Sequence, residues 1–211
     1  MSKVITGART ALLAIALSTA LTGVAAAQTL PPGVFPGERD YNQAPAGTYA
    51  LDPFHAAVIA KVSHIGYSYS VFRFDKVAGN LTWDPAAPAK SSLSVSVQTG
   101  SIDTNVPNFP AELSGPKFLN AAGFPQASFV STSFHQIDAN HGKVDGQFTL
   151  MGKTVPLSFD VTLVGAGKGF MGHPRIGVHA ESSINPADFG LPAMFSAPIA
   201  LVIDTEFART S

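Results

Sequence analysis

Six runs in which apolar residues take every second position constrain this chain more than any other feature it has. They are Val58, Ala60, Val62 and His64; Leu93, Val95, Val97 and Thr99; Val144, Gly146, Phe148 and Leu150; Leu157, Phe159, Val161 and Leu163; Ile176, Val178, Ala180, Ser182 and Ile184; and Ile199, Leu201, Ile203 and Thr205. A period of two puts neighbouring side chains on opposite faces, so each run predicts a strand with one apolar side. Turn residues separate the runs, among them Asp84-Pro85, Asn140-His141-Gly142, Met151-Gly152, Gly165 to Gly169 and Asn185-Pro186. Eight or nine antiparallel strands in one stretch predict an all-β fold, either a sandwich or a closed barrel. Small residues at Ala60, Gly146 and Ala180 favour an eight-stranded antiparallel barrel, just wide enough to hold a small ligand when its interior side chains are small. Residues 107–124 break the alternation and predict one short helical excursion packed against the sheet.

The N-terminus reads differently. Lys3 and Arg9 precede an apolar stretch from Ala11 to Val24, and Ala25-Ala26-Ala27 offers a small-residue cleavage site, so residues 1–27 read as a signal peptide. That assigns the mature chain to the periplasm, with no integral membrane anchor after cleavage. Residues 28–47, with Pro31-Pro32-Gly33, Pro36-Gly37 and Pro45, read as a Pro/Gly-rich arm, and order is expected from Thr48, in a single domain over 48–211. The chain has no cysteine and a formal charge of −1. The first leaves stability to burial and backbone hydrogen bonding; the second argues against nucleic acid, which demands concentrated Lys and Arg.

Between Thr48 and Trp83 two strand-like runs rich in aromatics follow one another, with no phosphate loop or ligand cluster between them. This is how a wall enclosing something apolar would be written. Its predicted lining is Val58, Ala60, Val62, His64, Tyr67, Tyr69, Phe72, Phe74 and Trp83, joined by Phe118, Phe129, Phe148, Phe159 and Phe189. The six histidines show no spacing that would place two on one face of a metal site, G-x-S-x-G does not occur, and Asp188-Phe189-Gly190 stands without the other kinase motifs. No metal, cofactor or catalytic residue is assigned, and the chain is not expected to be an enzyme. The alternatives are acid–base chemistry on a lipid by His55 and His64 beside Asp52, and scavenging of other amphiphiles under stress.

Collinear blocks then supply a resemblance. Y-A-L-D-P-F-H at 49–55, H-I-G-Y-S at 64–68, S-V-Q-T-G-S-I-D-T at 96–104, K-F-L-N at 117–120, F-P-Q-A-S-F-V-S-T at 124–132, V-D-G-Q-F-T-L-M-G-K-T-V-P-L at 144–157 and A-D-F-G at 187–190 resemble the YceI-like family of exported, polyisoprenoid-binding, lipocalin-like proteins. The resemblance implies an extended barrel with a short helix near one mouth and a tunnel for an isoprenoid chain, either a quinone tail or a polyprenyl lipid. It implies a bound long-chain lipid as the partner, and a homodimer. Three departures from the family's pattern stand out: Asn108 to Leu113 replace a charged R-D-x-H-L, Pro186 replaces a basic residue, and Ala60 a bulky aromatic. Fewer charges at the mouth favour a neutral head group, and Ala60 implies a wider tunnel.

Overall fold

The computed structural model describes residues 30–210; the expected signal peptide lies outside them. Ten strands form one antiparallel sheet: β1 (Gly47–His64), β2 (Ser68–Phe74), β3 (Val77–Trp83), β4 (Ser92–Gln98), β5 (Ile102–Asp103), β6 (Gln126–Gln136), β7 (His141–Leu150), β8 (Lys153–Gly167), β9 (Arg175–Ile184) and β10 (Ile199–Arg209). The 18-residue β1 accounts for the closure. Its first part pairs with β3, its second part with β2, and its other edge with β10. β2 and β3 thus act as one strand broken at Asp75-Lys76, and β4 and β5 as another broken at the turn Thr99–Ser101. The two breaks lie side by side: the Asp75 N–H donates to Ser101 O and the Lys76 N–H to Ser101 Oγ. Counted this way the wall is a closed eight-stranded antiparallel barrel, and closure removes the exposed edges that would template aggregation.

One irregularity sets the phase of the wall. Leu51 pairs with Phe207 and Ala56 with Thr205, so residues 52–55 stand opposite Glu206 alone. Pro53 has no N–H to give the ladder, and a bulge is where a strand tolerates that. Tyr49 and Leu51 face inward before it; Ala56, Val58, Ala60 and Val62 face inward after it. Odd positions therefore line the barrel on one side of the bulge and even positions on the other.

Order begins earlier than Thr48. Val34 pairs with Phe170 and Glu38 with Ala166, the latter through reciprocal backbone bonds of 2.9 and 2.8 Å. Ala44 is buried, and the Tyr49 hydroxyl donates to Pro45 O at 2.6 Å. The proline-rich composition predicts an extended arm; what it misses is the pairing of that arm with Ala166 of β8 and with Phe170 just after it. At the opposite end, residues 107–124 hold the expected helix, α1 (Phe109–Leu113), and a second one-turn helix, α2 (Pro186–Phe189), precedes β10. The Met151-Gly152 hairpin is as predicted, with both residues at positive φ between the last pair Leu150 and Lys153. Among the described residues no helix is long and apolar enough to cross a membrane.

Candidate functional site

The barrel is not filled. A cavity of about 240 Å³ runs through it, reaching Leu51, Leu81 and Phe207 toward the arm and Leu113, Phe118, Leu191 and Phe195 toward the helices. Its lining is apolar apart from Thr99, Ser128 and Thr205, and among the described residues no charged side chain contributes to it. A second cavity of about 120 Å³ abuts it and shares Leu81, Phe134, Val144, Val161 and Val178. Together the two fall within the range of roughly 300–1,000 Å³ usual for small-molecule sites.

Nine of the residues predicted as lining do line the first cavity: Val58, Ala60, Val62, Phe72, Phe74, Phe118, Phe129, Phe148 and Phe159. The other five stand elsewhere, each for a physical reason. His64 shares the inward parity of Val62 but lies past the rim, at the last β1–β2 pair, and is exposed. Tyr67 and Tyr69 have the opposite parity to Phe72 and Phe74, so they project outward, 90% and 67% exposed. Trp83 belongs to the second cavity, edge-on to Tyr41 of the arm, with its Nε1 buried and without an acceptor. Phe189 is buried in the core of the helical end, its ring 5.4 Å from that of Phe148. Aromatic content alone cannot separate these places; parity separates the tyrosines.

Small residues play two roles. Ala60 and Ala180 line the cavity and leave it open. Gly146 does not widen it, because a Cβ there would lie 2.4 Å from Phe129 Cζ and 2.5 Å from Val130 O. Phe129 lies over the glycine and meets Phe159 edge-on at 5.1 Å, which narrows the tunnel at its middle. The remaining wall comes from inward aliphatics such as Val95, Val178, Leu201 and Ile203, which the period-two runs already mark and a choice based on aromatics omits. Leu113, Leu119, Leu191 and Phe195 cover the helical end from outside the strands, where no periodicity announces them.

The polar clusters lie away from the first cavity, although His135 also borders the second. In the bulge, Asp52 accepts from Arg175 Nη1 at 2.7 Å, His55 Nδ1 at 3.0 Å and the Phe54 N–H at 3.0 Å. The Arg175 guanidinium, and after it His55, hold the Asp52 carboxyl at a pKa of about 2. Arg175 Nη1 also donates to Glu206 at 2.8 Å. Asp52, His55 and Glu206 offer ligand atoms within 4.8 Å of one another, but the guanidinium already supplies the cation between the two carboxylates. His64, the other half of the acid–base alternative, stands at the far end of β1. A serine, a histidine and an aspartate also meet outside β6 and β7, where Ser133 Oγ and His135 Nε2 both donate to Asp145 Oδ2, at 3.1 and 2.8 Å. A nucleophilic triad uses both imidazole nitrogens, one toward each partner, and here one nitrogen faces both.

Residues 49–207 match the YceI-like domain. A UPF0312 protein of Pseudomonas putida strain W619 is 36% identical over 168 residues, covering 78% of this chain and 88% of its own. Burkholderia cenocepacia BcnA superposes with a TM-score of 0.66 at 20% identity, over 74% of this chain and 98% of that one. A polyisoprenoid binding domain from Saccharophagus degradans, implicated in plant cell wall breakdown, gives a TM-score of 0.59 at 14% identity, over 77% and 98%. At those identities the two solved structures share the fold.

Proposed function

This chain is a member of the YceI-like family, and from that premise together with its geometry we propose that it is a periplasmic, non-enzymatic carrier of isoprenoid lipids. The observation that carries the reading is the tunnel itself: a cavity through the length of a closed barrel, bounded by aliphatic and aromatic side chains and by no charge. Such a wall selects for hydrocarbon. Each buried CH₂ is worth about 0.8 kcal/mol, so one five-carbon prenyl unit contributes on the order of 3 kcal/mol before the entropy cost of binding. The name of the Saccharophagus domain supports the same ligand class.

A neutral head group such as a quinone fits better than a pyrophosphate, because among the described residues no Lys or Arg side chain faces the first cavity to replace the hydration of a charged phosphate. The ligand enters at the helical end. There the cover is made of side chains on short segments, while the arm end is covered by backbone-bonded chain.

Native mass spectrometry tests this reading. Delipidated protein offered a membrane extract should acquire a long-chain adduct, with quinones among the masses; no adduct with quinones, polyprenols or fatty amides would end it.

A further inference from the structure

The β1–β2 hairpin combines strain with exposure. Its turn residues Ile65 and Gly66 both have positive φ, 55° and 78°, and the Tyr67 N–H closes the turn on His64 O at 3.0 Å. Such turns favour Asn-Gly, because a β-branched residue is strained in the left-handed region. Here the strained position carries an isoleucine that is 81% exposed. An exposed isoleucine gains nothing from the fold, and a backbone outlier of this kind points to function outside it.

Its surroundings agree. From Val62 to Ser70 the hairpin has no Asp, Glu, Lys or Arg, and its outer face continues through Tyr67 and Tyr69 to Val71, 48% exposed. Tyrosine, an apolar ring with a polar tip, concentrates where water meets lipid. The first charges behind this face are basic: Lys61 opposite Val71, and Arg73 opposite Ile59. The hairpin also adjoins the covered mouth. Val62, which lines the tunnel, lies three residues before Ile65, and Lys61 pairs with Ala200 at the end of the loop carrying Phe195 and Met194, the latter 74% exposed.

We propose that this hairpin is a membrane-docking tip: Ile65, Tyr67 and Tyr69 insert into the interface of a phospholipid bilayer and set the helical end of the barrel against the lipid surface. The choice of a bilayer over a protein partner rests on the carrier reading above. The tip delivers the mouth to where an isoprenoid chain resides, and the shallow depth of a three-residue connection makes the attachment reversible. The attraction is mainly apolar, with Lys61 adding a weak preference for anionic head groups.

Flotation of the full chain with phosphatidylethanolamine–phosphatidylglycerol vesicles tests the tip. The wild-type protein should float, and added salt should release only a minor part. The triple variant Ile65→Ser, Tyr67→Ser, Tyr69→Ser should lose at least about tenfold in partitioning, since the apolar anchors supply most of the binding. Ile65→Asn, which relieves the turn strain while removing the anchor, should lose vesicle binding yet gain in thermal midpoint, so the loss cannot be assigned to misfolding. The tunnel variant Ala60→Trp should float like wild type while binding no lipid from detergent solution, and the tip variants should bind that lipid normally. Those two results separate failure of the tip from failure of the carrier reading. A wild-type chain that stays with the unbound fraction, equal flotation of the tip variants, or a dimer in sedimentation that the tip variants abolish would each overturn the proposal.

Discussion

The two ends of the barrel are closed by different means. Toward the arm, closure is made of directional bonds: the reciprocal Glu38–Ala166 pair, the Tyr49 hydroxyl on Pro45, Arg175 between Asp52 and Glu206, and the Arg209 Nη2 donation to Ala46 O at 2.9 Å. Toward the helices, the backbone bonds of residues 106–123 close within their own segment, which Thr99 ties to the wall only at its end through bonds to Phe124 O and Pro125 O, and the side chains of Leu113, Phe118, Leu191 and Phe195 cover the cavity by contact. A directional network opens only when several bonds break together. Apolar cover parts one side chain at a time, and a segment with few ties elsewhere belongs to the least stable part of a fold. The contrast assigns structure to one end and exchange to the other.

Truncation should separate the ends most strongly. Phe207→Ala, in the core at the arm end with 3% exposure, should cost about 3–5 kcal/mol in urea unfolding. Phe195→Ala, partly buried and edge-on to the partly buried Phe118, should cost only about 1 kcal/mol, since less of its surface leaves water on folding. The same variant should release bound lipid faster. Equal losses of stability at the two positions would erase the contrast.

Next in size is Arg175→Ala. It leaves the Asp52 carboxylate, only 13% exposed, without its cation, and should destabilise by about 2–3 kcal/mol, below the cost of breaking a fully buried pair because Glu206 stays partly solvated. Lipid affinity should hardly change, because the pair touches neither cavity. Acid titration extends the test. The Asp52 carboxyl has a folded pKa lowered to about 2, so its stabilisation is complete above the unfolded value near 4 and is lost as pH falls from about 4 to 2. In that window Arg175→Ala should flatten the loss of stability relative to wild type.

The smallest effect concerns His179. Asp204, 2.8 Å from Nδ1, raises its pKa above 6.5, so the stabilisation is full below that pH and fades as pH rises through the folded value. The ion pair is largely exposed, so the free energy of urea unfolding of wild type should drop only slightly from mildly acid to mildly alkaline pH, by under about 0.5 kcal/mol, and His179→Asn should remove the drop.

The difference between the ends also explains what could be read in the sequence. The strands follow from period-two runs, closure is favoured by the small residues among them, and parity correctly turns Val58, Ala60 and Val62 inward. Parity fails at the ends. His64 has the right phase but lies beyond the rim, and Leu51 lines the tunnel in the opposite phase because the Asp52–His55 bulge intervenes. The cover of the helical end comes from segments without a period, so its residues emerge only when the chain is folded. The arm's attachment to Ala166 of β8 and to Phe170 beyond it rests on backbone pairing at Glu38 and Val34, which no side-chain pattern encodes.

The central claim is that the tunnel holds a long apolar chain, and a crystal structure of protein purified without delipidation tests it most directly. Continuous tubular density running from Val62 past the Phe129–Phe159 narrowing to Leu81 is the predicted result. A barrel whose interior shows only ordered water, or side chains collapsed across the gap between Ala60 and Ala180, would contradict it.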